Sequence, residues 1–382
     1  YCEVLFMIYL DNSATTYPKP TIVYEALDFA NKNLAFNAGR GNYKAANAAS
    51  KIMDEARFEI ADFVKVNPKE VAFLSSATEA LNLIIFGIDF EDGDCVYITP
   101  FEHNAIVRPL YALKEHINIE ILILPFDKKT WDPDYKKIEE MFSIKKPRAI
   151  FVSQLSNVTG LLIDYEKLFF MSKHYNCITV LDSAQAFGIK NPNLKNVDYC
   201  VFAGHKSLYA SFGVAGIISC KYKDLKIVKS GGNGSDSLNH MMPASGHERI
   251  ESGSPNIVAI YSLLESSKWL KNNDVLSHEK YLTKYLFNVL ENLEKVLVYK
   301  PLDIDKILGI ISINVKGYLS DEVASILSEE FDIAVRSGYH CSPFVHDFIG
   351  SNTFFKGTVR ISLGAFNTIE DINQLIKALK TL

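Results

Sequence analysis

The chain is poor in several features that would point to particular protein classes. Its six cysteines, Cys2, Cys95, Cys177, Cys200, Cys220 and Cys341, are scattered through 382 residues with no CxxC pair. A chain this long has no need of disulfide staples, so the cysteines read as free thiols in a reducing, cytoplasmic setting. Long hydrophobic runs are missing too. The terminal apolar run, residues 4–10, spans seven residues, follows Glu3 and runs into Asp11, so neither a signal peptide nor a membrane span is expected. Basic charge is not in excess: 40 Lys and Arg face 45 Asp and Glu, for a formal net charge of -5. Without a basic stripe, nucleic acid is not an expected partner. No internal repeat or low-complexity tract occurs. What remains, 48% hydrophobic and 22% charged residues, is the composition of an ordinary globular protein long enough for two or three domains.

Short β-branched runs alternate with helix-length amphipathic segments, at residues 71–74, 95–99, 119–124, 149–153, 178–181, 199–202 and 214–219. That alternation predicts βαβ units and a mostly parallel sheet. Residues 46–64, with Ile52, Ala56, Ile60 and Phe63 at helical spacing, predict a packing helix. Beyond residue 261 the pattern changes to a long helix at 277–293, strands near 309–315 and 333–336, and a terminal helix after Thr368, where Thr368 and Asp371 have capping-box spacing. Residues 231–246 read as a long loop.

Against that frame, Lys206 stands out. It follows the apolar run 197–203 as Gly204-His205-Lys206, while Asp182 ends the preceding apolar run and opens Asp182-Ser183-Ala184-Gln185. A lysine after a strand is ordinarily solvated and an acid there ordinarily caps a turn. Together they suit pyridoxal phosphate (PLP), which needs an amine for a Schiff base and a carboxylate to keep its ring nitrogen protonated. Ser75-Ser76-Ala77-Thr78 joins the strand at 71–74 to a helix at 79–86, and such a helix start offers free amides to a phosphate.

These residues carry a resemblance. With Tyr9 to Thr16, Glu102-His103-Asn104-Ala105, Ser156 to Gly160, Gly253-Ser254-Pro255-Asn256, Arg336 to Cys341 and Val359 to Ser362, the chain resembles the NifS/SufS-like cysteine desulfurases of the class V aminotransferase superfamily, PLP fold type I, over nearly its whole length. The resemblance implies an α/β fold: a large domain, residues 21–260, with a mostly parallel seven-stranded sheet flanked by helices, and a smaller α+β domain, residues 261–382, carrying Cys341 and Arg360. Residues 1–20 would pack with the small domain. It also implies a start near Met7, leaving residues 1–6 as an extension.

By the same resemblance, Lys206 would hold PLP, Asp182 would bond its ring nitrogen, Gln185 its ring hydroxyl, and His103 would stack on the ring and move protons. Asn157 would bond near the ring hydroxyl or the substrate. Ala77, Thr78 and His205 would receive the phosphate, with Ser254 reaching over from the second subunit of a homodimer. Arg360, costly inside a strand unless paired, would bind the substrate carboxylate, the alternative being a structural salt bridge with an acid. Cys341 would take sulfur from L-cysteine, or selenium from L-selenocysteine, as a persulfide-type adduct, leaving L-alanine; Arg336 or His340 could help to activate its thiol. The segment 341–360 lacks a long Ser/Gly-rich insertion, so an acceptor protein or small thiol would have to approach. No metal site is expected. Three departures concern the site: Ala203 stands where a hydroxyl residue is usual, Ser254 where a threonine is, which keeps the hydroxyl, and Tyr43 where a histidine is. Other readings are a selenocysteine lyase, another class V aminotransferase or epimerase, and a non-catalytic PLP-fold scaffold. Cys341 has a task only where sulfur or selenium is extracted.

Overall fold

A computed structural model describes residues 7–38, 41, 43–234 and 238–382. The expected extension at residues 1–6, with Cys2, and residues 235–237 of the expected long loop lie outside the described residues.

Seven strands form the main sheet, in the order Val71–Leu74, Ala215–Ile218, Tyr199–Ala203, Ile178–Asp182, Pro147–Ser153, Cys95–Ile98, Glu120–Ile123. All neighbours are parallel except Ala215–Ile218, which runs antiparallel to both of its own. Helices cover both faces, which is why most of these strands are continuous apolar runs instead of alternating ones. Along Pro147–Ser153, Ile150 and Val152 join one core while Ala149 and Phe151 join the other. Full burial of Ile150, Phe151 and Val152 contributes about 1.5–3 kcal/mol each. The helix Ile257–Lys271 lies against Thr21–Asn33 and Lys44–Val64 on one face.

A second, antiparallel sheet has the order Arg336–Gly338, Thr358–Ser362, Ile310–Val315, Val296–Tyr299. Ile8–Tyr9 pairs in parallel with Ile333–Ala334 beside it. Asp11 then bridges to Ser362, so the chain's early residues enter the space between the two sheets. The terminal helix Ile369–Leu379 has the expected capping box, with Asp371 N–H donating to Thr368 Oγ1 at 3.2 Å and Thr368 N–H to Asp371 Oδ2 at 2.9 Å.

The C-terminal part departs from the sequence expectation in three places. The expected strand at 333–336 is two short strands in different sheets, because Ile333–Ala334 turns to the N-terminal strand and Arg336–Gly338 to Thr358–Ser362. Val296–Tyr299 is an added edge strand whose residues are all only half-buried, which leaves no fully buried run to read. The helix Ser320–Phe331 is also added, capped through Glu322, whose carboxylate accepts from Leu319 N–H at 2.7 Å.

Candidate active site

The parallel strands Pro147–Ser153, Ile178–Asp182 and Tyr199–Ala203 end side by side, and ligands on such sheets bind beyond the carboxyl ends. Asp182 is the last residue of its strand, in register with Ser153 and Val201. Past Ala203 the chain turns sharply at Gly204, whose N–H donates to Val214 O at 3.0 Å. A Cβ at Gly204 would meet Val214 O and Cγ1 at 2.7 Å, so only glycine lets the backbone lie this close. The turn delivers His205 and Lys206 over the strand ends. Four donors then converge on the carbonyl of His205: Thr16 N–H at 3.1 Å, the hydroxyls of Thr15 at 2.9 Å and Thr16 at 3.3 Å, and Lys19 Nζ at 2.8 Å.

Ala77, Thr78, His103, Asn157, Asp182, Gln185, His205 and Lys206 line one cavity of about 90 Å³. Burial holds the Lys206 ammonium below its usual pKa, with Asp182 opposing and Arg360 and Arg336 reinforcing. The Asp182 carboxylate, 8% exposed, is pushed up by burial; Ala184 N–H, at 2.9 Å from Oδ1, and the charge of Lys206 pull the other way. His103 caps the helix Asn104–Lys114, its Nδ1 accepting from Ala105 N–H at 3.0 Å. The pKa of this imidazole is lowered to about 3, first by burial and then by Lys206 and the nearby arginines, so it is neutral at pH 7. Ser76 caps the helix Ala77–Gly87 by accepting from Glu79 N–H at 3.1 Å, leaving the amides of Ala77 and Thr78 in its first turn. His205 stacks on Phe212, its pKa lowered to about 3 by burial, and its Nδ1 is buried without a partner among the described residues. Together, an orphaned ring nitrogen, a free helix start, a desolvated acid and a buried lysine make a seat for a phosphorylated, cationic aromatic ring.

Three expected residues do not line this cavity. Ser254 lines a separate one of about 330 Å³ with Glu79, Lys229 and Arg57. Arg360, 2% exposed, has an acid for a partner: Nη2 donates to Asp11 Oδ1 at 2.6 Å and Nη1 to Asn157 O at 2.9 Å, while Nε is buried without a partner among the described residues. Cys341 is exposed, with its carbonyl accepting from Asn104 N–H at 2.7 Å. The side chain of Asn157 is committed to the Cys341 loop, with Nδ2 donating to His340 O at 2.8 Å and Oδ1 accepting from Ser342 Oγ at 2.7 Å. The His340 ring is itself buried. Its Nε2 is 3.0 Å from both Thr358 O and Thr358 Oγ1, and burial with the charge of Arg360 keeps it neutral. Tyr43 is exposed and packs edge-on against Phe36, and Ala203 lines the cavity.

The sequence reading gave no role to Asp11 and Lys19. A buried strand arginine needs an acid, which was the available signal for Asp11, although nothing in the spacing said which acid. Lys19, its pKa lowered to about 7 by burial, carries no signal in the sequence beyond its place near the Asn12 to Thr16 stretch.

The aminotransferase class-V family matches residues 8–375. A probable cysteine desulfurase of Pyrococcus abyssi is 30% identical over 388 aligned positions, covering 98% of this chain and 94% of that one. A cysteine desulfurase of Wigglesworthia glossinidia brevipalpis is 28% identical over 392, covering 98% and 92%. Among solved structures, the apo cysteine desulfurase of Thermococcus onnurineus NA1 superposes with a TM-score of 0.90 at 28% identity, over 98% of this chain and 94% of that one. The Escherichia coli cysteine desulfurase CsdA, at 22% identity and a TM-score of 0.86, shares the fold. Family match, full-length relatives and fold agree: the chain belongs to the class-V aminotransferase family, among its cysteine desulfurase-like members.

Proposed function

We propose that the protein is a PLP-dependent cysteine desulfurase that converts L-cysteine to L-alanine and stores the sulfur as a persulfide on Cys341. The observation that carries this reading is an exposed cysteine in a short loop, tied through Asn157 and Asn104 to the edge of a lysine-floored cavity. Bound in that cavity, PLP supplies an aldehyde for amines and an electron-withdrawing ring. Lys206, whose pKa burial lowers, would offer the attaching amine. Asp182 accepts the ring N–H, and this partner would relieve the burial that raises its pKa. The amides of Ala77 and Thr78 and the orphaned Nδ1 of His205 would take the phosphate, Gln185 the ring hydroxyl, and neutral His103 would cover the ring face and move a proton.

Arg360 binds the substrate carboxylate with the donors that Asp11 and Asn157 leave free. The Cys341 thiolate bonds to the substrate sulfur as the Cβ–S bond breaks, and the electron pair left on carbon takes a proton to give alanine. Ser254 lies outside its own chain's cavity, which supports a homodimer in which it serves the neighbour's phosphate. The sulfur then passes to an acceptor protein or small thiol, in a reducing cytoplasmic setting in keeping with the free thiols. We place the domain limits at residues 20 and 260, with the helix Ile257–Lys271 as the join. Alanine and sulfide release from L-cysteine, with Cys341→Ala as control, test the reading: turnover should be lost in the variant, and undiminished turnover removes the persulfide step.

A further inference from the structure

Two consecutive residues at the nucleophile's loop, His340 and Cys341, hold left-handed backbone angles of φ 48° and 56°. Such angles are unfavourable for side chains with a Cβ and persist only where the surroundings impose them. Ser342, directly after them, is fully buried, and its hydroxyl donates to Asn157 Oδ1 at 2.7 Å. From the other side of the same amide, Asn157 Nδ2 donates to the carbonyl of His340 at 2.8 Å. One side chain therefore grips the residues immediately before and after Cys341. Two further bonds complete the hold: Ser342 N–H to Tyr339 O at 3.0 Å and Asn104 N–H to Cys341 O at 2.7 Å. The gripping residue is itself fixed, since its main-chain oxygen accepts from Arg360 Nη1 at 2.9 Å and Ser13 Oγ at 3.3 Å, and it lines the Lys206 cavity.

We propose that Ser342 is a positioning residue: through Asn157 it clamps the Cys341 loop to the wall of the Lys206 cavity and sets where the thiol meets the substrate. This rests on the reading of Cys341 as the sulfur acceptor. The hydroxyl acts on no reacting atom. It shares its partner amide with the carbonyl of His340, so loss of this one bond loosens the loop on both sides of the nucleophile. Held in this way, the sulfur has a fixed reach, which turns its encounter with a bound substrate into an oriented one.

The test uses the PLP-loaded full-length enzyme with Ser342→Ala and Ser342→Thr, the second keeping the hydroxyl, and Cys341→Ala as a separate arm. Two readouts are taken: steady-state alanine formation from L-cysteine, and backbone hydrogen exchange over residues 338–344. A buried neutral hydrogen bond contributes on the order of a fivefold population ratio. Ser342→Ala is expected to speed exchange in this segment about fivefold and to lower kcat about fivefold with KM within twofold, on the same scale. Its cofactor absorbance should stay within error of the parent, its melting midpoint should fall by no more than the worth of that one bond, and Ser342→Thr should restore kcat. Unchanged exchange in Ser342→Ala overturns the clamp. Faster exchange with unchanged kcat, or a change confined to KM, overturns the positioning role. Full turnover in Cys341→Ala overturns the persulfide reading itself, and that arm separates the two failures.

Discussion

Replacing Arg360 with lysine keeps the charge and removes the fork. In the structure Arg360 is 2% exposed and its guanidinium spends one N–H on Asp11 and one on Asn157 O, leaving Nε without a partner among the described residues. A planar guanidinium has five donors, so three remain for a carboxylate, enough for a bidentate grip. A lysine in its place would still face Asp11 but could offer a carboxylate no paired donors. Loss of one charge-assisted hydrogen bond corresponds to about 1.5–3 kcal/mol, or roughly 10- to 150-fold in affinity. Arg360→Lys should therefore raise KM for L-cysteine within that range and lower kcat less. Cysteamine, which lacks the carboxylate, supplies the control: its reactivity, measured by spectral titration of the cofactor, should be nearly unchanged. An equal effect on both compounds would refute the carboxylate role and leave Arg360 as a structural partner of Asp11. That second role has its own signature, because Asp11→Ala strips a buried cation of its acid and should destabilise the protein by about 3–5 kcal/mol.

Two further predictions concern the cofactor seat. His103 and His205 titrate near 6.5 when unfolded and at about 3 in the folded apoprotein, so the unfolded chain binds more protons between those values. Apoprotein stability should accordingly fall as pH drops from about 6.5 toward 3. A melting series should show a shallower fall for His103→Gln, and identical slopes would contradict the burial argument. Ala203 lines the cavity without a hydroxyl, so Ala203→Ser should tighten PLP binding about threefold to tenfold, the worth of one new hydrogen bond, in a fluorescence titration; no change would mean the position does not reach the phosphate.

Much of the larger sheet was legible because burial on both faces leaves uninterrupted apolar runs, such as Ala149 to Val152. Asp182 was legible because it ends such a run, and Lys206 because it follows closely on another. The small domain was harder to read. Val296–Tyr299 is half-buried at an edge, and the two strands at Ile333–Ala334 and Arg336–Gly338 differ only in which neighbour they meet, which no local pattern encodes. Contacts between distant segments were also hidden. Asp11 and Arg360 are 349 positions apart, and Ser342 and Asn157 are 185 apart. Arg360 in a strand announced that an acid or a carboxylate was needed, yet only the fold shows Asp11 already there with donors to spare. Similarly, Asn157 read as a ligand of the cofactor or substrate, whereas its amide holds the loop that carries Cys341.

The most direct test is the mass of the Cys341 peptide after the PLP-loaded enzyme meets L-cysteine without an acceptor thiol, followed by alkylation that preserves persulfides. The account predicts one extra sulfur on Cys341, none on exposed Cys220, and alanine in equal amount in the first turnover. Alanine formed with Cys341 unmodified, or the extra sulfur on another residue first, would contradict it.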